Sequence, residues 1–300
     1  MTGRWIDLVD PSSDELHQAL PVHVDPEVFE ALATRQGADR APRPLLESHG
    51  SYAFGVLIAM RPLPEEDRVE HQEVDFVATP ELLVTVRKTP PGGIPYDPAA
   101  LRPAADESAS VGVLVHRLVD DVAETYLGLV DALYSEIGEI EDRIDEPQRA
   151  VVPRRLSEVR QELIHRRRTA TATRAAVRRV LDGRVEVGDH ELFPPEIERR
   201  FGDTYDTLVR AAEELDIARD PLTGVRDHYQ AKITENQNEI GKKLTVIASM
   251  VLVPTFIVGF YGQNFDSTFD EAYWSIGVSS ILILGSMIVL LALYRWRRWI

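Results

Sequence analysis

Leu244–Gly262 reads LTVIASMVLVPTFIVGFYG, and Trp274–Tyr294 reads WSIGVSSILILGSMIVLLALY. Neither run contains Asp, Glu, Lys or Arg. Each is close to the length of about 20 residues that a helix needs to cross the hydrocarbon core of a bilayer. A helix also satisfies its own backbone there, which an open strand or loop cannot do. Two such runs joined by the short segment Gln263–Tyr273 predict a membrane hairpin. Lys242 and Lys243 precede the first run and Arg295, Arg297 and Arg298 follow the second, whereas the connection holds only acids, Asp266, Asp270 and Glu271. Basic flanks favour the cytoplasmic side. Both termini are therefore expected in the cytoplasm, with the hairpin in the plasma (inner) membrane and the acidic connection outside. Trp274, Tyr294, Trp296 and Trp299 stand where interfacial aromatics belong.

Away from the hairpin the chain is polar and strongly acidic. The net charge is −16 over 300 residues. From Gly241 onward five cations oppose three acids, which leaves +2 on that part and −18 on everything before it. Such a domain repels nucleic-acid phosphates, so no nucleic-acid partner is expected. It suits cations as partners, although acidity also serves plain solubility. The absence of cysteine excludes disulfides, thiolate metal sites and cysteine nucleophiles. The eight histidines do not fall at the spacing of a helical zinc motif, and no phosphate-cradling glycine loop or nucleophile elbow occurs. An enzyme is not expected. Met1–Asp10 lacks a basic region followed by an apolar stretch, so no cleavable signal peptide is expected either.

Hydrophobic periodicity divides the polar part. Residues 1–107 read as a mixed α/β region, with strands over 4–9, 51–60, 69–78 and 82–87, helices over 14–20 and 26–33, and a Pro- and Gly-rich loop over 89–106. Residues 108–194 read as a long helical hairpin. Its arms are 111–146, with apolar residues at helical spacing from Val115 to Ile144, and 156–181, with Pro147 and Pro153 marking the break. Arg166, Arg167 and Arg168 read as a solvated face paired with neighbouring acids. A stalk helix is predicted over 195–243, opening at Pro195 and interrupted or kinked near Pro221 and Gly224. It runs into the first span, 244–262, followed by an outer loop, 263–273, a second span, 274–294, and a basic tail, 295–300. The fold class is thus an α/β cytosolic domain plus a long helical stalk and two transmembrane helices.

Followed in steps of three and four residues, one face of the stalk and first span carries Asp227, Gln230, Thr234, Asn238, Gly241, Thr245, Ala248, Leu252, Thr255, Gly259 and Gly262. Nearly all are small or polar, while Leu244, Val246, Ile247, Met250, Val251, Phe256, Ile257 and Phe260 occupy the other faces. Two readings fit the stripe. Small residues let helices approach closely and hydroxyls cross-link them; alternatively, several copies of the helix surround a water-filled path, where polar groups stay hydrated. Asp227, Gln230 and Asn238 continue the face beyond the membrane segment, which a membrane-packing motif does not require. One hairpin cannot enclose a path, so the second reading demands a homo-oligomer. Leu252, bulky and apolar in mid-face, would then form a constriction that excludes water and ions.

The first span ends in Tyr261, Gly262, Gln263, Asn264 and Phe265. Here the sequence resembles the CorA family of magnesium transporters, whose signature at this point is Y-G-M-N-F. The resemblance extends to Trp5–Leu8 (WIDL) followed by Pro11, to Leu83–Val86 (LVTV), to Asn238, to Lys243–Thr245 (KLT), and to the second span with its basic end. It implies a funnel-shaped homopentamer embedded in the lipid bilayer, conducting Mg2+, and also Co2+ or Ni2+, through a pore lined by the first span. The selectivity filter would comprise Gly262, Gln263 and Asn264, and the pore and gate Asp227, Thr234, Asn238, Thr245, Leu252 and Thr255. Internal Mg2+ would close the pore by binding acids between cytosolic domains, with Asp203 in the sensor position and its partner among Glu65, Glu66, Asp67, Glu70 and Glu73. Gln263 departs from the signature methionine, and ZntB-type members, linked to Zn2+, also vary that position. Zinc transport, proton-coupled or not, is therefore the alternative ion reading. A membrane-anchored cation sensor that does not conduct is the alternative of another class; it would need neither the stripe nor Asn264.

Overall fold

A computed structural model describes residues 3–20, 23–35, 43–63, 68–91, 93–106, 109–146, 151–188, 190–262 and 272–299. The chain forms two units, Met1–Arg226 and Asp227–Ile300. In the first, runs with β-branched and aromatic residues give strands β1 (Arg4–Val9), β3 (Ala53–Leu63), β4 (Arg68–Ala78) and β5 (Leu82–Arg87), and the short run Leu45–Ser48 adds β2. They make one sheet in the order β1-β5-β4-β3-β2, in which β1 runs parallel to β5 and the other neighbours are antiparallel. Residues 53–60 of β3 are buried without alternation, as happens when both faces of a sheet are covered.

Helices α1 (Ser13–Ala19) and α2 (Pro26–Ala33) cover one face. A capping box between Ser12 and Glu15 starts α1, and Pro26 occupies the first turn of α2, where its missing N–H costs nothing. Leu16, Val28 and Leu32 pack there against Phe54, Val56, Val77 and Val86. Each such side chain, fully buried, contributes about 1.5–3 kcal/mol. A helix beginning at Val111, α4 (Val111–Asp142), packs against β3 and is tied to it twice. The Tyr126 hydroxyl donates to the Ile58 carbonyl at 2.9 Å, and the Met60 N–H donates to Thr125 Oγ1 at 3.0 Å. Gly55 leaves room for the Phe76 ring, which any Cβ at that position would overlap.

Two short elements escape the periodicity argument. At four residues, β2 is too brief to display alternation. Within the expected loop 89–106, a 3-10 turn at Ala99–Leu101 and helix α3 (Arg102–Asp106) form because Leu101 and Ala104 are buried. Pro153 is not part of a break: it lies in the first turn of α5 (Val152–Leu181), a position that tolerates proline. Helix α6 (Pro195–Ile217) packs along both α4 and α5, which touch each other much less, so these helices form a three-membered layer. The expected interruption falls at Ala218, between α6 and α7 (Arg219–Gly262). Pro221 explains it, since its missing N–H breaks the bond to the Ile217 carbonyl and places Pro221 in the first turn of a new helix. The second unit holds the rest of α7 and α8 (Ala272–Trp296).

The arginine run of α5 corrects one expectation. Arg167 does pair with Asp216, at 2.7 Å, and is half-exposed. Arg166, however, is 2% exposed and pairs with Glu162. Arg155 joins the same group through Glu136. The run is thus split between surface and core, because three consecutive helical positions cannot share one face.

Candidate ion-conduction path and acidic sensor residues

Helix α7 carries Asp227, Thr234, Asn238, Thr245, Leu252 and Thr255 on one 44-residue element. All six are exposed on the single chain, Leu252 at 71%. Leu244, Ile247, Val251 and Phe256 are exposed as well, each above 60%. A helix this apolar on several faces does not remain bare in water; its length and composition fit a membrane span. Among the described residues of the second unit, the buried ones are Val246 and Tyr294.

The hydroxyls of the stripe share one geometry. Thr234 donates to the Gln230 carbonyl at 3.0 Å, Thr245 to Gly241 at 2.9 Å and Thr255 to Val251 at 2.7 Å. Each hydroxyl hydrogen is spent on the preceding turn, so what Oγ1 presents outward is its lone pairs. The stripe therefore offers acceptors, which suits a cation or the hydrogens of its water shell. Pro254, also in α7, leaves the Met250 carbonyl without its helical donor. Gly262 ends the helix and is exposed. Gln263 and Asn264 lie outside the described residues.

The acids expected to sense a metal lie in the first unit. Asp203 is exposed on α6. Glu70, on β4, is largely buried, with a carboxylate oxygen 3.9 Å from Arg61. Glu73, also on β4, is 5% exposed and accepts from Lys88 Nζ at 2.5 Å. Glu65, Glu66 and Asp67 lie outside the described residues. Among those described, no group of three or more His, Asp or Glu side chains is arranged to hold a metal.

The structure gathers instead a buried ionic group that the periodicity reading passed over. The Lys88 ammonium lies 2.8 Å from Asp75 as well as 2.5 Å from Glu73, and donates to the Ala31 carbonyl in the last turn of α2 at 2.8 Å. Burial pushes the Asp75 carboxyl up to about 7, with Lys88 opposing the rise and Glu73 adding to it. Burial alone would pull the Lys88 ammonium down, but the two carboxylates more than offset this and hold it above its usual value. Glu73 and Asp75 at i and i+2 on one strand face were the available signal. Another titratable side chain, the half-buried His71, is held down to about 4 by desolvation and by His165 and Arg166.

An α/β unit, a long helix with an acceptor-lined stripe, and a second apolar helix define a two-span membrane protein. Residues 2–297 match the family described as CorA-like Mg2+ transporter protein, and the chain belongs to that family. YfjQ of Bacillus subtilis (strain 168), provisionally named a metal ion transporter, is 26% identical over 95% of this chain and 86% of its own length. The cobalt/magnesium transport protein CorA of Thermotoga maritima is 24% identical over 86% of this chain and 73% of its own. The complete structure of the CorA magnesium transporter from Methanocaldococcus jannaschii superposes with a TM-score of 0.72 at 19% identity, covering 99% of this chain and 91% of that one. The fold is therefore the CorA fold. The chain is a divalent metal ion transporter of this family, whose activity is transport rather than catalysis.

Proposed function

We propose that five copies of this chain surround a water-filled path lined by α7, through which Mg2+, and less selectively Co2+ or Ni2+, enters the cytoplasm. The observation that carries this reading is the row of outward-facing acceptor oxygens at Thr234, Thr245 and Thr255 on one face of α7. Mg2+ dehydrates reluctantly, so its shell presents water hydrogens, and acceptors bind them without stripping the ion. Asp227 and Asn238 extend the same chemistry along the helix. At the outer mouth Gly262, Gln263 and Asn264 form the filter, with Asn264 receiving the hydrated ion. Leu252 supplies the constriction, which is wetted only when the helices move apart.

Orientation follows from Lys242, Lys243, Arg295, Arg297 and Arg298, which hold both termini in the cytoplasm at the plasma membrane. Sensing of internal Mg2+ is assigned to Asp203, with Glu70 as the acid from β4; Glu73 is engaged by Lys88 within its own subunit. Cations bound between subunits neutralise facing acids and favour closure, and their loss lets repulsion separate the domains. Zinc ordinarily takes nitrogen or sulfur ligands, whereas the stripe offers only oxygen donors.

Because the chain has no cysteine, single cysteines test the assignment of faces directly. Cysteine at Thr245 or Thr255 is expected to react with water-soluble thiol reagents and block Mg2+ uptake into proteoliposomes. Cysteine at Met250 or Ile257 is expected to leave uptake unchanged. Equal block from both faces would overturn the pore-lining role of the stripe.

A further inference from the structure

A polar contact joins the two helices of the second unit. The Tyr294 hydroxyl of α8 donates to Ser249 Oγ of α7 at 2.6 Å. Ser249 in turn donates to the Thr245 carbonyl at 2.6 Å. Thr245 belongs to the stripe and Leu252 follows Ser249 by three residues, about 4.5 Å along the helix. Among the described residues of this unit, Tyr294 and Val246 are buried, while the remainder of each described span is exposed or half-exposed.

The end of α8 is built around the same tyrosine. Arg298 adopts φ 55°, in the left-handed region that an arginine enters only at a cost. That conformation folds the chain back, so that the Trp299 N–H donates to the Tyr294 carbonyl at 2.9 Å. This six-residue loop is the Schellman form of helix ending, in which glycine is usual. It stacks the Trp299 indole on the Tyr294 ring, with centroids 5.7 Å apart and planes 15° from parallel. The ring is thus braced from the tail while its hydroxyl holds α7.

We propose that Tyr294 is a positioning residue for transport: with Ser249 and Trp299 it latches the pore-lining helix to its own second span and sets the resting position of α7 near Leu252. The inference rests on the proposal that α7 lines the path. The pair lies near the cytoplasmic end of both spans, with Ser249 five residues past Leu244 and Tyr294 beside Arg295, so movement of α7 relative to α8 at this level must break the bond or carry α8 along. Either way the bond enters the balance between closed and open states.

The test measures Mg2+ uptake by the full chain in proteoliposomes at graded internal Mg2+, for wild type, Tyr294→Phe, Ser249→Ala and the double variant. Each single variant removes the same bond from opposite ends, and Tyr294→Phe keeps the ring that Trp299 covers. Both are expected to shift the internal Mg2+ for half-maximal inhibition in the same direction by about threefold, the change that an average hydrogen bond between membrane helices supports. The double variant is expected to shift no further than either single one. Wild-type inhibition curves for both variants, shifts of opposite sign, or full additivity would overturn the latch. So would loss of assembly in both, since the bond would then serve construction and not position. Absence of uptake by wild type would instead overturn the conduction reading itself.

Discussion

Replacing Lys88 by Met removes an ammonium group and keeps most of the stem that carries it. The group it leaves behind is severe: Glu73 and Asp75 have side chains 7% and 0% exposed, and both lie within 2.8 Å of the lost nitrogen. Removing one partner of a buried ion pair costs about 3–5 kcal/mol, and the hydrogen bond to the Ala31 carbonyl contributes about 1 kcal/mol more. In a unit of this size each kcal/mol moves the midpoint by about 2–4 °C. Lys88→Met should therefore lower the Tm of the first unit by roughly 8–24 °C at pH 8, followed by circular dichroism in detergent. The pH dependence has a definite sign. Asp75 is raised from 3.8 to about 7, so the native carboxyl keeps a proton that the unfolded chain releases across that window. Stability from this group is present at low pH and is lost as pH rises. Without Lys88, which opposes the rise, the Asp75 carboxyl goes further up, so the deficit should be smaller at pH 5 than at pH 8. A Tm within about 2 °C of wild type at pH 8, or a deficit that does not shrink at pH 5, would refute the reasoning.

Leu252→Ser should conduct at internal Mg2+ concentrations that close the wild type, because a wetted ring no longer excludes ions; unchanged uptake would remove Leu252 from the gate. Asp203→Asn should make protease resistance of the first unit less dependent on Mg2+, read as a rightward or flattened titration of the intact band. His71 is held at about 4 against an unfolded value of 6.5, so the unfolded chain binds the proton first and stability falls as pH drops through that interval. The loss is about 3 kcal/mol by pH 4, and His71→Asn should abolish most of that slope in denaturant titrations.

Much of this fold was legible because burial leaves periodic marks. The strands at Arg4–Val9 and Leu82–Arg87 and the helix at Pro26–Ala33 have the bounds that their β-branched runs and first-turn proline indicate. The two apolar helices announced themselves through the absence of charge. What stayed hidden depends on contacts between residues far apart in sequence. Lys88 meets Glu73 and Asp75 only after β5 pairs with β4, and Arg166 is buried only once α4 and α6 close over α5. The stripe on α7 could be traced from helical spacing alone. That its hydroxyls turn their hydrogens inward could not, since this depends on the rotamer that each threonine adopts.

The central claim is that the stripe and Asn264 conduct Mg2+, and the most direct test is ion flux into proteoliposomes of the purified full chain. Uptake of Mg2+ and of Zn2+ would be compared under a membrane potential, with and without a pH gradient, for wild type and Asn264→Ala. Mg2+ entry driven by potential alone and abolished by Asn264→Ala in an intact assembly is the expected result. Zn2+ entry that requires the pH gradient, or Mg2+ entry undiminished in Asn264→Ala, would contradict it.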